Sequence, residues 1–331
     1  MNGAEMATKT SYLIDTNVWR YLSDANAGSE LRRRVRASGS RILVAPSVLY
    51  ETLRMSDPIL RKRISLLITS ASWLRLMPEV YSESQELLTA IRRLRPEWLH
   101  PKQDRKKFTK YRYDWTRKKG GFWDRVRMDA DKAAVAVNIL GASSLEAARL
   151  GVTELRRFGK NNPKFERVPL DLLLAGFPAP TPGWRGDKIE PWRIASCDDT
   201  RRAFRDSSHP YAEWLSGEID FDRALFDQHS WGRFWFYDVD RRSLPRFWIR
   251  WAFEHLQQFR TTTDGSACDS QLATYLSEAD VFVTADKNFV AIGEQCRSFA
   301  PSHFPKLHRI PGGNPGVEAL LDLVGRSQFV K

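Results

Sequence analysis

The sequence contains few cysteines and no long apolar segment. Its three cysteines, Cys197, Cys268 and Cys296, are far apart and odd in number, so they offer neither a disulfide framework nor the paired spacing of a zinc site. No apolar run approaches the roughly 20 residues needed to cross a bilayer. The N-terminal stretch MNGAEMATKT lacks the apolar centre of a secretory signal. We therefore expect a cytoplasmic protein that makes no membrane contact.

Several catalytic signatures are absent as well. The chain has no GxGxxG or GxxxxGK phosphate cradle, no HExxH zinc motif and no nucleophile elbow. The six histidines form no i, i+4 pair, and the chain has no internal repeat. No nucleotide cradle, zinc protease site or Ser/His/Asp hydrolase site is therefore indicated.

Basic residues outnumber acidic ones. The 331 residues include 52 Lys and Arg against 40 Asp and Glu, which gives a formal net charge of +12. A balance this basic favours a polyanionic partner, with nucleic acid first. Charge alone leaves open a basic protein that binds nothing specific.

The hydrophobic pattern alternates between strands and helices at both ends of the chain. Short apolar runs precede helical periodicity near residues 11, 41 and 73, and the alternation returns in DVFVTAD and KLHRIP. It predicts an α/β fold with a mostly parallel sheet covered by helices on both faces. Between these ends the pattern changes to helices, loops and many aromatic residues. We therefore predict a discontinuous α/β domain, residues 11–96 and 256–331, with a mainly helical insertion at residues 97–255.

Four acids occupy comparable places in this pattern. Asp15 and Asp286 lie at the carboxyl ends of predicted strands, Glu51 lies on the helix after the second strand, and Asp269 begins a helix. The carboxyl ends of parallel strands face one crevice, where ligands bind. Crowded carboxylates repel each other, and a hard cation such as Mg²⁺ or Mn²⁺ relieves that repulsion. Such a site suits phosphodiester hydrolysis, which also matches the basic charge.

Each acid also has a simpler explanation. Asp15 and Asp269 are also explained as helix N-caps, Glu51 as a solvent-facing helix residue, and Asp286 as a turn residue before Lys287. The order and placement of the four acids together favour the metal-binding interpretation.

These segments resemble the PIN-domain nucleases. The motifs are LIDTNVW, VAPSVLYETLR, DSQLATYL and VFVTADKNF, within residues 11–96 and 256–312. The resemblance implies a three-layer PIN-like fold. It also implies that the metal ligands and catalytic acids are Asp15, Glu51, Asp269 and Asp286, with Asn17 and Thr284 as polar supports. PIN domains usually have a short connection where this chain has its insertion. DTNV also resembles the haloacid dehalogenase type of hydrolase, which needs an acid where this chain has Asn17.

A basic and aromatic segment lies in the insertion, from His100 to Arg127. Cations neutralise phosphates and exposed rings stack on bases, so we predict nucleic-acid contacts at Lys106, Lys107, Tyr111, Trp115, Lys118 and Lys119. The alternative is a solvated loop whose rings complete a local core.

The sequence therefore predicts an endonuclease that uses Mg²⁺ or Mn²⁺, with single-stranded RNA as the favoured substrate and DNA as the alternative. A regulatory protein or a second copy of the chain are further candidate partners. The alternative function is a PIN-like module that binds nucleic acid or protein without catalysis.

Overall fold

A single five-stranded sheet organises the described part of the chain. The computed structural model describes residues 9–137, 188–257 and 266–326, with isolated positions between 153 and 186. All strands are parallel, in the order β3-β2-β1-β4-β5. Their bounds are β1 Ser11–Ile14, β2 Arg41–Val44, β3 Leu74–Arg75, β4 Val281–Thr284 and β5 Lys306–Arg309. The predicted α/β class and parallel sheet are confirmed.

Strand β1 is the centre of the sheet and joins the two ends of the chain. Leu13 lies opposite Leu43 of β2 on one side and opposite Phe282 of β4 on the other. Leu13 and Phe282 are fully buried. Continuous apolar strands of this kind are typical of a parallel sheet that is covered on both faces.

Helices cover the sheet on both faces. The chain passes from β1 to β2 in one direction and from β4 to β5 in the other. Right-handed crossovers therefore place the connecting helices on opposite faces. The helices that belong to the sheet segments are α1 Thr16–Asp24, α2 Gly28–Ser38, α3 Pro46–Leu53, α4 Pro58–Ile68, α5 Glu79–Leu94, α13 Ser266–Ala273, α14 Lys287–Arg297 and α15 Asn314–Arg326. Helix α15 packs on α1 and α2, whereas α14 packs on β5.

Between α5 and α13, the described part of the chain consists mainly of helices joined by loops. Its helices are α6 Lys106–Thr116, α7 Phe122–Met128, α8 Pro191–Arg205, α9 Pro210–Leu215, α10 Phe221–Phe226, α11 Gln228–Arg233 and α12 Pro245–Gln257. A π-helical turn, Phe234–Asp238, follows α11. Buried rings fill this region. Trp98 stacks on Trp231 with ring centroids 5.5 Å apart, and Phe234 and Trp235 are fully buried beside them.

Ion pairs join the helical segment to the sheet. Glu83 on α5 is 1% exposed and accepts hydrogen bonds from Arg250 Nε at 2.7 Å and from Tyr211 Oη at 2.9 Å. Arg246, one turn before Arg250, pairs with Glu86 on α5. Removing one partner of a buried pair of this kind is strongly destabilising, so α5 and α12 are held in one fixed orientation.

Two details differ from the expected pattern. Helix α4 has no counterpart in the predicted elements, although Asp57 caps it and Pro58 occupies its first turn. Helix α13 begins at Ser266, so Asp269 lies within its first turn and not at its first residue. No helix among the described residues is long and apolar enough to cross a membrane.

Candidate metal and nucleic-acid site

The order in which strands are added to the sheet reverses between β1 and β4, and the carboxyl ends of these two strands mark that point. Strand β1 leads to β2 on one side, and β4 leads to β5 on the other. Ligands of open parallel sheets bind in the crevice at such a point. Asp15 follows β1 directly, and its N–H donates to Val283 O at 3.0 Å. Asp286 follows β4 by two residues. Residues from the two ends of the chain are thus brought together at this edge.

Asp15 is buried, and two neighbouring residues donate hydrogen bonds to its carboxylate. Its Oδ1 accepts from Thr16 N at 2.7 Å, which makes it the N-cap of α1. Its Oδ2 accepts from Thr284 Oγ1 at 2.6 Å. The N-cap explanation is therefore correct for one oxygen, while the second faces β4. Asn17 is exposed, and its Nδ2 lies 3.5 Å from Asp15 Oδ2, which is a long contact.

Thr284 connects two of the acids. Its hydroxyl donates to Asp15, and it accepts from Asp286 N at 2.9 Å. Asp286 Oδ1 in turn caps α14 by accepting from Asn288 N at 2.6 Å. Thr284 itself is fully buried. A fixed hydroxyl at this place orients the Asp15 carboxyl and ties it to the start of α14.

Glu51 points toward the end of β1 and not into open solvent. Its Oε2 accepts from Thr16 Oγ1 at 2.6 Å. Thr16 is buried. Its hydroxyl donates to Glu51 and its backbone N–H donates to Asp15, so this one residue orients both carboxyl groups. The sequence prediction did not include Thr16. The available signal was its position directly after Asp15, at the first residue of α1.

The charges of the neighbouring acids act on Asp269 and Asp15. Burial is the largest cause that raises the pKa of Asp269, to about 8, and the charges of Asp15, Asp286 and Glu51 add to it. Burial likewise raises the pKa of Asp15 to about 7, against the hydrogen bond from Thr284, and Glu51 and Asp286 raise it further. Burial also raises the pKa of Glu51. Like charges in a poorly solvated crevice cause this behaviour.

The donor set fits a hard divalent cation. It consists of carboxylate oxygens, which are the ligands that Mg²⁺ and Mn²⁺ prefer. Across the described residues, no group of three or more His, Cys, Asp or Glu side chains converges closely enough to enclose a metal ion. Mg²⁺ does not need such a cage, because it keeps several waters and binds through one or two carboxylates. The raised pKa values of these carboxyl groups mean that their ionised forms are disfavoured, and a bound cation would stabilise those forms.

The basic segment folds into the helix pair α6 and α7. Lys106, Lys107, Lys118 and Lys119 are exposed, and none forms an ion pair with another described residue. Two nearby arginines, Arg117 and Arg125, share an ion pair with the single carboxylate of Asp114. The lysines remain candidates for phosphate contact.

Tyr111 and Trp115 contact other rings of the protein. Both are half-buried. The Tyr111 ring centroid lies 5.8 Å from that of Trp214, and Trp115 lies 4.2 Å from Phe122 and 6.4 Å from Tyr50. Both rings therefore pack partly against the protein itself, and nucleic-acid stacking on their exposed parts stays a prediction. The contact with Tyr50 has a positional consequence, because Tyr50 precedes Glu51 on α3. The rings dock the basic helix pair beside a helix of the acid crevice.

Comparisons with known proteins add no further constraint on identity. No protein-family model, curated protein or solved structure matches the chain.

Proposed function

We propose that the protein is a PIN-like, metal-dependent endonuclease that hydrolyses phosphodiester bonds, with single-stranded RNA preferred over DNA. The observation that supports the proposal is the position of Asp15 and Asp286 just after the two neighbouring strands β1 and β4, with Thr284 bonded to both, together with a pKa of Asp269 that burial and the charges of Asp15, Asp286 and Glu51 raise to about 8. The preference for RNA rests on the resemblance of the motifs. The composition of the chain is the basis for expecting a cytoplasmic location.

The four acids would hold one or two Mg²⁺ or Mn²⁺ ions. When bound, such an ion lowers the pKa of a coordinated water and stabilises charge on a phosphoryl oxygen. Thr284 and Thr16 fix the rotamers of Asp15 and Glu51 through hydrogen bonds of 2.6 Å each. Supports of this kind orient ligands and commonly matter 10- to 100-fold for affinity or activity, in order of magnitude.

The basic helix pair supplies what the acid crevice lacks for a polyanionic substrate. Without a metal, the carboxyl groups of the crevice are negative or protonated, so they offer a nucleic acid no attraction. The exposed lysines of α6 and of the α6–α7 turn lie on a unit that packs against Tyr50 of α3. Positive charge beside a negative crevice raises the rate of encounter with a polyanion.

The direct test is Asp15→Asn. Asn is close in shape to Asp: its Oδ1 can still accept from Thr16 N, and its Nδ2 can donate to the Thr284 hydroxyl oxygen once that hydroxyl rotates, so the fold should survive. Cleavage of labelled single-stranded RNA and DNA is measured with Mn²⁺ and with EDTA. We expect wild-type cleavage that requires Mn²⁺ and its loss in the variant. The matched control is Asp222→Asn, a change at an exposed acid on α10, which should cleave like wild type.

Two results would count against the proposal in different ways. Equal cleavage by the Asp15→Asn variant would remove Asp15 from the reaction. Wild-type protein that binds RNA but never cleaves it with Mg²⁺ or Mn²⁺ would favour the binding module.

A further inference from the structure

Arg54 places a guanidinium at the edge of the acid crevice. It is the C-cap of α3, one turn beyond Glu51, and it is half-buried. Its Nη1 donates to Cys268 Sγ at 3.2 Å, and Cys268 precedes Asp269 in α13. A thiol is a weak acceptor, whereas a guanidinium carries five N–H donors. Within the described ranges, no carboxylate lies at ion-pair distance from Arg54, so most of its donor capacity is unused.

The charge of Arg54 reaches the acids without being bound to one. Its positive field lowers the pKa of Glu51, against the larger effect of burial, and also that of Cys268. A mobile surface arginine would pair with the nearest carboxylate. Instead the guanidinium is held between α3 and α13, the two helices that carry Glu51 and Asp269. Helix α3 also carries Tyr50, which anchors the basic helix pair.

We propose that Arg54 binds a non-bridging phosphate oxygen of the substrate strand at the crevice. The inference rests on the proposed function in taking a phosphodiester as the ligand. The planar fork of arginine matches two oxygens of one phosphate, and such charge-assisted pairs are roughly twice as strong as neutral hydrogen bonds. Arg54 would therefore be a substrate-binding residue that sets where the strand lies relative to the acids.

The experiment compares Arg54→Gln and Arg54→Lys with wild type in the full chain. Binding of labelled single-stranded RNA is measured in EDTA, where no divalent ion is present, over a range of salt concentrations. Loss of one phosphate contact on a single strand should reduce the slope of log K against log salt by about 0.7 for Arg54→Gln. Arg54→Lys should keep the slope, because the charge remains, but bind more weakly because the fork is lost. Arg36→Gln, which removes an exposed charge from α2, is the matched control and should behave like wild type.

A second arm locates the phosphate. Single phosphates of the RNA are replaced one at a time by uncharged methylphosphonate. One position should weaken binding to wild type and have no further effect on Arg54→Gln. A purely structural role for Arg54 would not depend on the charge of one linkage. Unfolding in urea, measured for each variant, identifies any that fails to fold, and Arg54→Lys then serves as the test.

The outcomes separate this inference from the proposed function. If Arg54→Gln keeps wild-type affinity and salt slope, the phosphate contact does not exist, whether or not the wild type cleaves RNA. If Arg54→Gln binds more weakly at one specific phosphate while the wild type never cleaves, the contact stands and the nuclease proposal fails. With Mn²⁺ present and cleavage active, the KM of Arg54→Gln should rise about tenfold, the scale of one good charge-assisted contact.

Discussion

Replacing Asp269 by Asn should stabilise the metal-free protein, and the gain should grow as pH rises. Burial and the neighbouring carboxylates raise the pKa of Asp269 from 3.8 to about 8. The folded protein therefore keeps a proton that the unfolded chain releases above about pH 4. The stability from this group is fully present below that pH and is lost as pH rises through about 8. An Asn side chain has no proton to lose, so the variant escapes this penalty.

The magnitude follows from proton linkage. While only the folded state holds the proton, the free energy of unfolding falls by about 1.4 kcal/mol per pH unit, and by less close to the folded pKa. Between pH 6 and pH 8 the difference in the free energy of unfolding between variant and wild type should widen by about 2 kcal/mol. Asp15, Glu86 and Glu254, each with a pKa raised to about 7, chiefly by burial, titrate in both proteins and largely cancel.

Urea unfolding in EDTA at pH 6, 7 and 8 measures the difference. Asp222→Asn is the matched control and should run parallel to wild type. With Mn²⁺ added, the order should reverse, since a bound ion stabilises the folded wild type by mass action and the variant has lost a ligand. A difference between Asp269→Asn and wild type that does not change with pH would refute the reasoning, because Asp269 would then be solvated and apart from the other acids.

Two further substitutions test the supports of the crevice and the basic helix pair. Thr284→Val keeps the shape of a fully buried side chain but removes the hydroxyl bonded to Asp15. It should lower the free energy of unfolding in urea by about 1–3 kcal/mol and weaken Mn²⁺ binding in calorimetry, and Thr284→Ser should restore both. An unchanged Mn²⁺ affinity in Thr284→Val would contradict the role of Thr284 as a support of Asp15. Changing Lys106, Lys107, Lys118 and Lys119 together to Ala should weaken RNA binding and reduce the salt slope by as much as about 3 if all four touch one strand; unchanged affinity at every salt concentration would make the segment an ordinary solvated surface.

The sequence was most informative where physical constraints are local. The parallel sheet was predicted from short continuous apolar runs, each followed by a segment with helical periodicity. Strands that are apolar on both sides are buried only in a sheet covered on both faces. The placement of Asp15 and Asp286 at strand ends predicted their convergence. Asp57 and Pro58, a cap followed by a first-turn proline, are a local signal for helix α4, but this signal is weaker than those of the neighbouring segments.

Side-chain partners from distant segments could not be predicted. Tyr111 and Trp115 have the composition of a stacking surface, but their ring partners, Trp214 and Tyr50, lie far away in the sequence. The same applies to Arg54, whose contact with Cys268 joins residues 214 apart. Periodicity shows which face of a helix is buried, but it does not show which other helix buries it.

The sheet order also determines when β1 can pair with its second neighbour during synthesis of the chain. The central strand β1 pairs on one side with β4, and the hydrogen bond between Ser11 and Asp280 spans 269 residues. A ribosome that adds about 5–20 residues per second needs on the order of tens of seconds to deliver the second partner. Until then β1 presents an open edge, and such edges template aggregation. During the same interval Asp15 and Glu51 exist without Asp269 and Asp286. The chain therefore acquires its full set of acids only after the entire interval has emerged.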